Sequence, residues 1–193
     1  MALDSSSVVL PGTGFLFLHD TPGTAAPATT ASAIAALNLE AATLATAWKN
    51  AGHTSRENNV TLGRDGGDRT TKGSWQSPAL RETVAPITWT LGFKALQIDN
   101  SNLAMYFGGG GITVVDRFDV PDSPTPVEKA LWLCMVDGTY RLPLYIPKVS
   151  VLGGDPIEAD VENFLELDMV ATVLKNTGTP LMSLFNDALG ATS

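Results

Sequence analysis

Between Val84 and Ala95 the chain alternates with a period of two. Ala85, Ile87, Trp89, Leu91, Phe93 and Ala95 fall on one side, and Val84, Pro86, Thr88, Thr90, Gly92 and Lys94 on the other. Successive side chains of an extended strand point to opposite faces, so this run predicts a strand with one face on a core and a small or polar face away from it. Elsewhere aromatic and β-branched residues also sit in short runs between glycines and prolines, which predicts a mainly β fold. With 193 residues, 44% of them apolar, the chain suits one domain carrying ordered arms around a sizeable core.

Residues 1–31 are read as an N-terminal strand, Gly14–Leu18, and a linker arm. Thr21–Thr30 is a Pro/Gly/Ala/Thr stretch with too little apolar surface to fold alone. Ile34, Leu37, Ala41, Leu44 and Trp48 then follow a helical period, with Ser32 as N-cap and Gly52 as terminator. Residues 50–82 are read as a projecting hairpin. Asp65-Gly66-Gly67-Asp68 is its expected turn, joining Val60–Arg64 to Arg69–Trp75. Residues 83–193 form the β-core. Within it Asp99 is expected to cap a short helix, Asn102–Phe107, ended by Gly108–Gly111.

Strands are predicted at Ile112–Phe118, Ala130–Val136 and Tyr140–Val151. Pro143 and Pro147, four apart, place both missing N–H groups on one side, which predicts an edge strand. A last long strand is expected over Asp160–Leu174. Its odd positions are nearly all apolar and its even positions carry Glu162, Glu166 and Asp168 with no cation between them. A short helix is expected at Leu181–Leu189.

Twelve basic and twenty acidic residues give a net charge of −8. Gripping nucleic acid requires cations that displace counterions from phosphate, so tight DNA binding is not the expected task. The charge is uneven. Residues 49–94 hold seven basic and four acidic residues, and residues 151–193 one basic and seven acidic. Such polarity either suits subunits that meet head to tail or is a chance property of a solvated surface.

No apolar run approaches the roughly 20 residues that span a bilayer. The start, Met1-Ala2-Leu3-Asp4-Ser5, has no basic stretch before an apolar block, so no signal peptide is expected and folding in a cytoplasm follows. The single cysteine, Cys134, excludes an internal disulfide and a multi-cysteine zinc site.

No catalytic, cofactor or metal residue is assigned. Gly108–Gly111 lacks a following Lys-Ser/Thr and leaves a helix instead of opening one, so it is read as a turn. His53 has no nucleophile elbow beside it, and Cys134 sits in an apolar strand as a small core residue. Asp155, Glu158, Asp160 and Glu162 lack the spacing of a calcium loop.

Trp48, Gly52-His53-Thr54-Ser55, Asp65-Gly66-Gly67, and Trp75-Gln76 with Arg81 after them, preceded by the Pro/Ala/Thr arm, resemble in order and spacing the major tail proteins of siphophages infecting actinobacteria. The resemblance runs over most of the chain. It implies a β-sandwich or barrel with a flanking helix, six copies per ring, and rings stacked around a lumen that conducts DNA. The fold would be akin to contractile-tail and type VI secretion tubes. Implied partners are further copies of the chain, the tape measure protein and other tail proteins, with genomic DNA only as passing cargo and no membrane insertion. Many relatives carry a C-terminal immunoglobulin-like domain, for which this chain is too short.

Within that reading, Arg56, Arg64, Asp65, Gly66, Gly67, Arg69 and Lys72 are the candidates for contact between rings. Glu162, Glu166 and Asp168 are the candidates for the lumen wall, where like charge keeps phosphate from adhering, unless they face outside water. A capsid decoration or tail-completion protein is the alternative, and a binding module for a cationic partner is a third.

Overall fold

The computed structural model describes residues 8–159 and 161–186, most of them in antiparallel strands or the loops that join these. In chain order these are β1 (Thr13–His19), α1 (Ala31–Ala35), β2 (Thr43–Leu44), β3 (Trp48–Asn50), β4 (Thr61–Gly66), β5 (Arg69–Lys72), β6 (Arg81–Val84) and β7 (Ile87–Ala95). They are followed by α2 (Asn100–Tyr106), β8 (Gly111–Val114), β9 (Arg117–Asp119), β10 (Val127–Asp137), β11 (Tyr140–Gly153), β12 (Leu167–Val173) and β13 (Ser183–Leu184). The main sheet has the order β2-β3-β1-β10-β11-β12-β7-β4, with β13 paired to β11; β5-β6 and β8-β9 are separate two-stranded ribbons.

Two apolar clusters explain the pattern of the runs. Leu91, Phe93 and Ala95 of β7 and Leu167, Met169, Ala171 and Val173 of β12 pack with Leu16, Leu18, Leu131, Leu133, Ile146 and Met105 in the larger core. The intervening Phe17, Trp132, Cys134 and Tyr145 face the other way, into a second cluster with Trp48 and Leu39. β1 and β10 are therefore buried on both faces and read as continuous apolar runs, whereas β7 and β12 are buried on one face and alternate.

The chain after β3 closes the sheet on itself. Ala51 N–H donates to Leu16 O (2.8 Å), and Thr54 bridges Ala95. Ser55 N–H donates to Lys94 O and Leu96 N–H to His53 O, each at 2.9 Å. The first and last thirds of the sheet are thereby joined around the larger core, as a β-sandwich or barrel requires.

Several sequence expectations about elements change. The helix over 34–48 shrinks to α1, capped by Thr30 and not Ser32. Asn38 Oδ1 accepts from Glu40 N–H (3.2 Å), a local turn that competes with helix. Arg141 donates to Ile34 O and Leu37 O, Asn50 to Leu39 O and Ala41 O, and Trp48 Nε1 to Ala25 O. These bonds hold 25–42 as an irregular layer over the second cluster, with Trp48 buried from a strand. The linker is thus pinned to the sheet, and Tyr145 OH also donates to Thr24 O.

β11 is interior, not an edge, since it lies between β10 on one side and β12 and β13 on the other. On the proline side β12 reaches only Val149–Gly153 and β13 only Leu144–Tyr145. There Phe185 N–H donates to Pro143 O and Gly23 N–H to Pro147 O, so the neighbours donate and need no N–H in return. The strand expected at 112–118 is a small hairpin, β8-β9, turning through Asp116 at φ 62°.

The long strand over 160–174 begins only at Leu167, and Val161 and Leu165 in its expected apolar row are exposed. The helix expected at Leu181–Leu189 is replaced at its start by β13, and its remainder from 187 lies outside the described residues. The helix capped by Asp99 stands: its carboxylate accepts from Asn102 N–H (2.9 Å), and Gly108 at φ 64° helps end it.

Candidate functional site

Two surface features face away from the core, one at each end of the same strands. The first is an arm. β4 pairs with β7 from Thr61↔Gly92 to Gly66↔Ile87, and β5 continues the same register against β6, from Arg69↔Val84 to Lys72↔Arg81. Ala85 N–H donates to Asp68 O (2.9 Å) across the break, so all four strands form one ribbon. The hairpin expected between Val60–Arg64 and Arg69–Trp75 is not formed: β4 and β5 follow one another on the same side of the ribbon and pair with β7 and β6. Asp65–Asp68 does not reverse the chain; the reversal lies at residues 73–80.

Gly66 and Gly67, at φ 80° and 82°, form an irregularity where the ribbon leaves the main sheet. A Cβ on Gly66 would meet Pro86 O, which accounts for glycine there. Asp65 Oδ1 accepts from Gly66 N–H (2.9 Å). Arg64 lies over Trp89, 6.0 Å from the ring centre, and Arg69 pairs with Glu82 at 3.4 Å. Beyond the break every residue of β5 and β6 is exposed. At the tip Trp75 is 102% exposed and Leu80 is also bare, as is Val84 at the arm's base. The tip is closed by Ser74 N–H to Ser77 O (2.7 Å) and Leu80 N–H to Lys72 O (3.0 Å).

The second feature is a groove of about 980 Å³ between the turn at 54–58 and the loop 155–166. It lies where β4 and β12 begin and β7 and β11 end, opposite the arm. Six carboxylates line it, Glu57, Asp155, Glu158, Glu162, Glu166 and Asp168, against the cations Arg56 and Lys94. Phe164 (81% exposed) and Val161 (101%) present apolar surface beside them.

Glu166 is half-buried and held below the usual carboxylate range, first by the Ser55 hydroxyl and then by Lys94 and Asn58. Asn58 Nδ2 donates to it at 2.8 Å, and Lys94 Nζ lies 3.3 Å from Glu166 and 3.9 Å from Asp168.

The contact candidates Arg64, Asp65, Gly66, Gly67, Arg69 and Lys72 are therefore all on the arm, while Arg56 is in the groove at the other end. The missed residues are Trp75 and Arg81 on the arm and Lys94, Asp155, Glu158 and Phe164 in the groove. The row Glu162, Glu166, Asp168 is not one strand face. Only Asp168 lies in β12, and Lys94 on the adjacent strand, directly opposite Asp168, supplies the cation the row was expected to lack.

Cys134 is fully buried, and burial pushes its thiol up to about 11, which makes it a poor nucleophile. No group of histidine, cysteine and carboxylate side chains among the described residues is arranged to hold a metal ion. The arm and the groove thus gather exposed charge and apolar surface, which suits contact with other protein chains.

The whole chain, residues 1–193, matches the phage tail tube protein family. It is similar to the major tail protein Gp23 of Mycobacterium phage D29, 32% identical over 98% of this chain and 96% of the relative. It is also similar to the major tail protein Gp23 of Mycobacterium phage L5, 31% identical over the same shares. The chain belongs to the phage tail tube protein family. It is a structural component of the virion tail and not an enzyme, and it assembles with copies of itself and with other tail proteins.

Proposed function

We propose that the chain closes into rings, six copies to a ring, and that the rings stack into the conduit through which the phage genome leaves the capsid. The observation that carries this reading is the arm. A two-stranded ribbon without a packed face is marginal in water, and this one exposes a tryptophan at its tip. Its surface is explained by contact with another chain. The open edge of β4 and the short β2 at the other edge of the main sheet offer backbone pairing for lateral contact within a ring. The net charge of −8 suits a channel that passes phosphate without holding it. The tape measure protein is the partner expected inside the tube during assembly.

Electron microscopy of concentrated protein tests the reading. Long tubes of uniform bore with six-fold end views are expected. Replacing residues 69–84 with a two-residue turn should leave a folded monomer that forms none. Trimers would favour a capsid decoration role, and single rings that never stack a tail-completion role.

A further inference from the structure

The arm and the groove are complementary, and they sit at opposite ends of the strands they share. Lys72 and Arg81 stand directly opposite one another at the end of the ribbon, and neither makes an ion pair among the described residues. Like charges facing each other across a strand pair, with side chains about 5 Å apart, destabilise the pair unless a counter-charge intervenes. Trp75 lies just beyond them, fully exposed. The groove offers the reverse: a surplus of carboxylates, and Phe164 and Val161 turned outward. A chain's own arm cannot fill its own groove, because β7 runs from the arm at Ile87 to the groove at Lys94 and the ribbon continues away from it.

Resting on the tube reading above, we propose that the arm tip of one copy, Trp75 with Lys72 and Arg81, docks in the groove of a copy in the next ring, against Phe164 and the carboxylates Asp155 and Glu158. The contact is heterologous, head to tail, and so repeats without closing, as an extending tube demands. The aromatic pair removes apolar surface from water, and the two cations lose their mutual repulsion against the carboxylates. Glu162, Glu166 and Asp168, expected on the bore wall, are thereby assigned to the margin of a docking groove. Lys94 holds the latter two in place.

The test is charge reversal on the full-length protein, with folding checked by circular dichroism and assembly by microscopy and light scattering. Lys72→Glu with Arg81→Glu should raise the concentration needed for tubes by about tenfold or more, as should Asp155→Lys with Glu158→Lys. Combining all four should restore assembly. As a second measurement, Lys72→Cys with Glu158→Cys should oxidise into ladders of cross-linked chains, since Cys134 is buried and does not compete. Wild-type tubes with unaffected reversals, or a fourfold variant that folds but gains nothing over either pair, would overturn the docking and leave the tube reading standing. Reversals at Asp155 and Glu158 that stack normally but slow DNA ejection would place these carboxylates on the bore. Failure of the wild type to form tubes at all would instead remove the reading on which the docking rests.

Discussion

At the scale of single residues, Asp20 ties together three distant segments of the chain. Its two oxygens lie 2.6 Å from Lys129 Nζ and 2.6 Å from Lys49 Nζ. Lys129 precedes the register shift in β10, and its side chain is only 9% exposed. The Lys129 hydrogen bond, and next that of Lys49, pull the Asp20 carboxyl down to about 2. A depressed carboxylate stabilises the fold fully above its unfolded value near 4 and loses that contribution as pH falls through the folded value.

Asp20→Asn should therefore lower stability at pH 7, by about 1 kcal/mol because water screens the exposed carboxylate, chiefly through the loss of the counter-charge to the buried Lys129. It should also flatten the loss of stability between pH about 4 and about 2. Urea denaturation at several pH values reads both, and equal midpoints at pH 7 would refute the role. Cys134 gives a second expectation at this scale. Iodoacetamide should label it only in denaturant, and rapid labelling of the native protein would contradict its burial.

Residue chemistry with a local cause was the most legible part of the sequence. The Asp99 cap and the core placement of Cys134 need only neighbours along the chain. Asp20 was missed because its partners are brought in from 29 and 109 residues away, and nothing local announces them.

At the scale of elements, legibility followed the same line. Strands with an apolar face were readable, and so were β1 and β10, whose continuous apolar runs reflect burial on both faces. The helix over 34–48 failed because its period was real but its residues serve a sheet. Trp48 is worth more buried in β3, and the carbonyls that a helix would use are taken by Arg141 and Asn50. The arm was half legible. Its projection followed from polarity, whereas Asp-Gly-Gly-Asp mimicked a tight turn and concealed that the strand runs on to Lys72.

That misplacement has a consequence. If Gly66 and Gly67 orient an arm instead of reversing the chain, Gly66→Val should leave the core folded, with the far-ultraviolet spectrum of the parent, and should misdirect the ribbon. Its Cβ meets Pro86 O, and φ of 80° disfavours a β-branched side chain. Tube yield at a fixed concentration should fall sharply. Unchanged yield would show that the break carries no orienting role.

At the scale of the whole molecule, the charge asymmetry visible in the sequence acquires a direction. The acidic surplus beyond residue 151 collects partly at the groove, while the basic residues of 49–94 lie on the arm, at Arg56 and Lys94 in the groove, and at Lys49 beside Asp20. The sequence carried the polarity but not its axis, because the axis depends on β4 and β7 sharing a register with β5 and β6. That axis sets a length. Arg81 at the arm's end and Lys94 in the groove are joined by extended chain, and at about 3.3 Å per residue they lie at most about 43 Å apart. Twist and tilt shorten this. If each arm ends in the groove of the next copy, the rise from one ring to the next is this separation projected on the tube axis plus the reach of the side chains that bridge the contact. It should therefore lie near or below about 43 Å, with at most a side-chain length added. Helical reconstruction of the assembled tube measures the rise directly. A rise well above that bound would mean that the arm does not reach from one groove to the next, and stacking would have to be carried by some other surface.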